Sequence, residues 1–460
     1  MLPGALWLLC LAAISTRALD TTDAVSLTGT LTTASTVATS DFTGSGYTYL
    51  TSTGQRTVST LATTVLTGTM NETATSSGGS DSQATASSAS QSVTALVGGA
   101  ATTSGANGTA SSTTSSALAV NTAPCNNYPE FCNRKYSNIT EVCAHNSAFS
   151  ITNNAASNQQ LTITQQLNDG VRMLQGETHW VNNTVYSCHS SCDLLNAGTW
   201  QSELETIVSW LEQNPLDVVT FLIVNSNFAA GTTVTNYTAA IEASGIRQYL
   251  YEPTYVPQHR EQWPTLGEMI LSGKRVVMFM DYNADQTTVP YVLDEFTHMF
   301  ETPFSPTNQT FPCTLQRPPG ATTAHAEANL MYIANHNLNL AIDVGAITGD
   351  ASAESILIPQ TSTINITNGA ENQYGRLGAM SDNCTVEWNR PPTFLLVDYY
   401  NVGLPGPGSV FEVAAKANGV TYNRQCCGAS STSAAAAAPQ ARRSYVALMA
   451  ALVFAVVLTR

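Results

Sequence analysis

From Leu19 to Val120 the chain is almost entirely Ser, Thr, Ala and Gly, with few large side chains. Such a stretch buries too little apolar surface to offset the entropy of ordering it. Its composition is that of a disordered, O-glycosylated Ser/Thr-rich stalk. The aromatic patch from Phe42 to Leu50 is too small to be a domain. Core-building residues are thus confined to about 300 positions, Cys125 to Cys427, where most cysteines also lie. That length suits one barrel-sized domain and is short for two.

Two further segments stand apart. Residues 1–18 read as a signal peptide, with an apolar run from Ala5 to Ile14 and cleavage expected near Ala18. Residues 428–460 begin with Gly428-Ala429-Ser430-Ser431 and continue through an Ala-rich spacer and Arg442-Arg443. They end in an apolar tail from Tyr445 to Leu458. A membrane-crossing helix needs about 20 apolar residues, and this tail has 14. The pattern fits a GPI-attachment signal; a C-terminal membrane tail is the other reading. The expected division is therefore signal peptide 1–18, stalk 19–120, folded domain 121–427 and anchor signal 428–460.

A secretory route makes disulfides the default for the nine cysteines other than Cys10. Cys188 and Cys192 are placed to close a small loop, and the odd count leaves one cysteine over. Eight Asn-x-Ser/Thr sequons, at Asn71, Asn107, Asn138, Asn182, Asn236, Asn308, Asn365 and Asn383, fit the same route. The expected location is the cell surface, by GPI tether to the plasma membrane or cell wall. A net charge of −15 with three lysines excludes the basic footprint that nucleic acid requires. An anionic substrate would have to be recognised locally.

Within the folded part, strand-like and helical segments alternate. Glu141–Phe149 is expected to be a strand, Gln159–Asn168 a helix stopped by Asp169-Gly170, and Val171–Leu174 the start of a second strand. Trp200, Leu204, Ile207, Val208 and Leu211 recur at helical spacing, and Asn214-Pro215 ends that helix. Val218–Val224 is a continuous apolar run, as in a strand buried on both faces. Leu266–Leu271 reads as a helix, Arg275–Tyr282 and Phe394–Tyr400 as strands, Leu330–Leu340 as an apolar segment and Val410–Asn418 as a helix. Strands alternating with helices give an α/β fold with a mainly parallel sheet. Fewer than eight strands stand out, so this pattern does not by itself close a barrel.

Polar residues gather where the strands end, which is where parallel α/β folds build their sites. His145 and His189 follow strand-like segments among small, polar neighbours. Two histidines can divide a phosphoryl transfer, one as general base and one as general acid. Either can equally be a hydrogen-bonded structural residue. Glu177 and Asn146 offer oxygen ligands for Ca²⁺ or Mg²⁺; alternatively Glu177 pairs with a histidine or arginine. Asp281 and Asp398 end long apolar strands, where an uncompensated charge needs a reason.

Three ordered stretches carry a resemblance: Cys143-Ala144-His145-Asn146-Ser147, Gln166–Leu174 and Cys188-His189-Ser190-Ser191-Cys192. Together they resemble the X-region of PLC-like phosphodiesterases. Met278–Asp285, Asn335-His336-Asn337 and Leu396–Tyr400 resemble the secreted fungal branch of that family. The resemblance covers nearly all of Cys125–Cys427. It implies a distorted TIM (β/α) barrel related to phosphatidylinositol-specific phospholipase C. It further implies His145 as general base on an inositol 2-hydroxyl, His189 as general acid, Asp398 orienting His145, and Asp281 and Tyr282 near the substrate headgroup. Metal-dependent relatives carry an acidic pair two residues apart on the second strand, where this chain has Gln175 and Glu177. Metal-independent bacterial relatives have an arginine at the Glu177 place. The function expected from the resemblance is a phosphoric diester hydrolase acting on a phospholipid or phosphoinositide. The alternatives are a sphingomyelinase D-like phosphodiesterase and a non-catalytic surface protein on the same barrel.

Overall fold

A computed structural model describes residues 123–342 and 355–428, together with the backbone of Gly54–Gln55. The signal peptide, nearly all of the stalk and residues 429–460 of the anchor signal lie outside the described residues. Among the described residues no helix is long and apolar enough to cross a membrane.

Eight strands run parallel around a curled sheet: β1 Glu141–Ala144, β2 Met173–Val181, β5 Val219–Asn225, β6 Val276–Met280, β7 Leu293–Asp294, β8 Met299–Glu301, β9 Met331–Asn335 and β12 Phe394–Val397. Their order is β8-β9-β12-β1-β2-β5-β6-β7, each neighbouring pair laddered in parallel. Only the short turn Glu295–His298 joins the two end strands β7 and β8. This is the distorted TIM barrel that the resemblance implied. An antiparallel hairpin, β3 Thr184–Cys188 and β4 Asn196–Thr199, extends β2, and a second pairs β10 Asn339–Ile342 with β11 Ile356–Pro359.

Alternation along the strands makes two cores. One side contributes Cys143, Met173, Leu222, Phe279, Leu293, Met299, Ile333 and Leu396, which pack together with Tyr136 and Trp263 inside the barrel. The other side contributes Val142, Leu174, Phe221, Met278 and Leu395, which meet the outer helices. The clearest of these is α2, Trp200–Gln213, capped by the Thr199 hydroxyl, which accepts from Ser202 N. Its Trp200 packs edge-on against Phe221 and Tyr237. At the other end of the fold, Asn418 follows α8, Ser409–Ala417, and brackets Thr140 with both side-chain atoms.

Several elements are shorter than the sequence pattern suggests. β1 stops at Ala144 because Asn146 takes a left-handed φ of 47° and turns the chain across the barrel mouth. The first helix, α1, begins at Ile163, where Thr162 and Gln165 form a capping box. Gln159 therefore lies in the preceding loop. β12 ends at Val397 and β6 at Met280, each one residue before an aspartate. The described disulfides are Cys125–Cys132, Cys188–Cys192, Cys313–Cys384 and Cys426–Cys427, and Cys143 is the free cysteine left buried in the barrel.

Leu204 is fully buried between α2 and the sheet. Leu204→Ala should lower the unfolding free energy by about 2–5 kcal/mol in a denaturant titration. A change within about 0.5 kcal/mol, the range of surface substitutions, would contradict this packing.

Candidate active site

Parallel pairing of β12 with β1 sets Val397 beside Ala144, so the next residues, Asp398 and His145, leave the sheet side by side. His145 Nδ1 stands 2.7 Å from Asp398 Oδ1, both side chains being buried. A carboxylate at this nitrogen fixes the proton on Nδ1 and leaves Nε2 as the basic atom. Asn158 Nδ2 donates to the same Asp398 oxygen at 2.9 Å. Its neighbour Gln159 donates to two carbonyls, His145 O at 2.8 Å and Val397 O at 3.0 Å. These two side chains staple the strand ends together. Asn337 approaches from β9, its Nδ2 3.5 Å from His145 Nδ1.

His189 reaches the same mouth by another route. β2 and β3 form a tight hairpin through Asn182-Asn183, both at positive φ, and β3 ends at Cys188. The Cys188–Cys192 disulfide closes a five-residue ring that holds His189. His189 N donates to Leu195 O at 3.0 Å, and the imidazole packs edge-on against Phe149. Burial pushes its pKa below the usual histidine range. The Glu177 and Asp398 charges push it up and His145 pushes it down. The two histidines thus share one electrostatic field.

Glu177, on β2, is the carboxylate of this second group. Its Oε1 accepts from Ser226 Oγ at 2.8 Å and lies 3.3 Å from His179 Nε2; its Oε2 accepts from Ser190 N at 2.8 Å. Burial alone would raise its pKa, but His179, the His189 charge, Ser190 N–H and Ser226 hydroxyl together hold it below the usual range. Asn146 Oδ1 accepts from Glu177 N at 3.1 Å, and Asn146 N donates to Gln175 Oε1 at 2.8 Å. The oxygens expected to hold Ca²⁺ or Mg²⁺ are therefore engaged within the chain, with one carboxylate among neutral amides. That donor set does not fit a hard divalent cation, which favours several oxygen ligands and carboxylate charge. Among the described residues, the cluster of three His, Cys, Asp or Glu close enough to share an ion is Asp169, Cys426 and Cys427. Its cysteines are joined in a disulfide.

Asp281 and Tyr282 lie at the end of β6 and meet an arginine. Asp281 Oδ1 accepts from Asn225 N at 2.9 Å and Tyr282 N at 2.7 Å. Its Oδ2 lies 3.8 Å from Arg317 Nη2, which donates to Tyr282 Oη at 3.0 Å. Burial pushes the Asp281 pKa up to about 6 against the pull of Arg317. Arg317 also pairs with Glu301 at 3.3 Å, and Glu301 accepts from Asn335 Nδ2 at 3.0 Å. The sequence reading did not single out this buried network. Arg172 stands at the opposite end of β2, paired with Asp217 at 2.8 Å. His336 is enclosed, its Nε2 2.8 Å from Thr367 O, and burial lowers its pKa to about 3.

A family model described as PI-PLC X matches residues 131–408, more than half of the chain. The chain belongs to the PI-PLC X family. An uncharacterized secreted protein of Arthroderma benhamiae is 55% identical over 312 residues, covering 68% of each chain. A PI-PLC X domain-containing protein 1 of the same organism is 39% identical over 285 residues, covering 61% of this chain and 86% of its own. Among solved structures, the phosphatidylinositol-specific phospholipase C of Listeria monocytogenes superposes with a TM-score of 0.36 at 12% identity, over 64% of this chain and 95% of its own.

The ring around His189 makes its disulfide a positioning device. On a catalytic role for His189, a Cys188→Ser/Cys192→Ser variant should lose roughly tenfold to a hundredfold in kcat, with little change in KM. Unchanged kcat would show that β3 and Leu195 alone fix the imidazole.

Proposed function

We propose that this family member is a phosphoric diester hydrolase of the phospholipase C type, acting on a phospholipid or phosphoinositide at the cell surface. The observation that carries the reading is the buried 2.7 Å pair of His145 Nδ1 and Asp398 Oδ1 in the same mouth as His189. In this reading His145 Nε2 takes the proton of a substrate hydroxyl next to the phosphate. That oxygen forms a bond to phosphorus as the bond to the leaving oxygen breaks. His189 gives its proton to the leaving oxygen, and a cyclic phosphodiester results. Each proton transfer contributes about 10²–10⁴-fold. Asp398 holds the tautomer and steadies the imidazolium that forms. No step is routed through a divalent cation.

A second reading, a non-catalytic surface barrel, is favoured by one observation: Glu177 and Asp281 are engaged within the chain. Kinetics separate the two. His145→Ala and His189→Ala should each lower kcat on a phosphoinositide by about 10²–10⁴-fold, with unfolding midpoints unchanged. His189 acts as an acid only when protonated, and its pKa lies below the usual range. The wild-type rate should therefore fall with rising pH, starting at more acidic pH than for an unperturbed histidine. Loss of folding in either variant, or turnover indifferent to both, would overturn the catalytic reading.

A further inference from the structure

The barrel's topology sorts the sequons of the folded part by face. His145, Glu177 and Asp398 sit at the C-terminal strand ends or just beyond them, so that face is the mouth. Asn182, Asn236 and Asn308 fall between a barrel strand and the helix that follows it, and Asn365 lies in the short helix Ile364–Thr367 after β9, all on the mouth side. Asn138 precedes β1 on the opposite face, and Asn383 lies within the helix Leu377–Trp388 on the flank. Three of the mouth-side asparagines, Asn182, Asn308 and Asn365, are exposed. Asn236 is half-buried and caps a turn by accepting from Thr233 N at 2.9 Å. Asn182 occupies the tip of the β2–β3 hairpin, the hairpin that leads to His189. At Asn308, Oδ1 accepts from the amide and hydroxyl of Thr310, leaving Nδ2 outside that pair.

The same rim carries exposed apolar side chains, and two of them adjoin these asparagines. Val181 precedes Asn182 and Ile366 follows Asn365, at 39% and 41% exposed. Side chains of this kind would enter a bilayer interface if the mouth docked on it. A glycan on the adjacent residue prevents that, since the acyl region cannot take up sugar hydroxyls without losing their hydrogen bonds. The chain's charge of −15 adds no attraction to anionic lipid.

We propose that Asn182, Asn308 and Asn365 carry N-glycans that ring the mouth and keep it off a packed bilayer. Within the phosphodiesterase reading, the phosphoinositide is then one presented singly rather than packed in a bilayer, such as a soluble or glycan-linked headgroup phosphodiester. In the modification, Nδ2 of each asparagine bonds to the reducing-end carbon of an oligosaccharide carried on a lipid diphosphate. The bond to the diphosphate breaks and one amide proton is lost. The substrate half of the proposal rests on the phosphodiesterase reading, and the glycan half does not.

The test uses the full chain secreted from a eukaryotic host, alongside an Asn182→Gln/Asn308→Gln/Asn365→Gln variant. Both share the same C-terminus, so any difference between them reports on the glycans. Peptide mass spectrometry after enzymatic deglycosylation should show all three sites occupied. Turnover of a water-soluble inositol phosphodiester should match between the two proteins. Binding to phosphatidylinositol–phosphatidylcholine vesicles, and turnover on them, should rise about tenfold in the variant. Unoccupied asparagines, or equal vesicle binding by both proteins, would overturn the proposal. If neither protein turns over any phosphodiester, the enzymatic reading fails while the binding comparison still decides the role of the glycans.

Discussion

The parallel ladder between the first and last barrel strands is the constraint on which the site depends. It joins residues more than 250 positions apart and sets Ala144 against Val397. With the register fixed, His145 and Asp398 emerge as neighbours, and Gln159 ties their backbones through one amide. A one-residue slip of either strand would turn each inward side chain outward and separate the pair. Burial then gives the contact its value. Asp398 is sealed from water, so its charge acts on the imidazole at short range in a medium of low polarity.

The second half of the mouth is assembled locally. Glu177 and His189 are 12 positions apart and are linked by a hairpin turn, a disulfide and the Ser190 N–H bond to Glu177. Glu177 is held ionised by four neighbours, and it in turn favours the protonated form of His189 against the burial that disfavours it. The engagement of Glu177 is also why the Asn146 and Glu177 oxygens fit a divalent cation poorly. A carboxylate that accepts from Ser226 and Ser190 and lies beside His179 has about three of its four lone-pair sites engaged inside the chain.

Much of this arrangement was legible in the sequence. The runs at Val218–Val224 and Arg275–Tyr282 announced buried strands because both faces of those strands are covered. Asp398 was legible as a charge ending such a strand, and His145 and His189 as histidines that follow strand-like segments among small, polar neighbours. Strands β7 and β8 were not, since two and three residues are too short to show any period. Asn158 and Gln159 carried no signal either: their roles exist only once β1 and β12 are paired. A helical reading of Gln159 failed for a local reason, the capping box at Thr162 and Gln165. The hairpin at Asn182-Asn183 did have a signal, two adjacent residues that tolerate positive φ. Arg317 was hidden because its carboxylate partners come from separate strand ends, Asp281 just after β6 and Glu301 at the end of β8.

The central claim is that Asp398 and His145 act as one unit. A double-mutant cycle in kcat/KM on a phosphoinositide, with Asp398→Asn, His145→Ala and the double variant, tests it most directly. The account predicts that the double variant is no slower than His145→Ala alone, because Asp398 acts only through the imidazole. Losses that multiply would contradict it and assign Asp398 a role independent of His145.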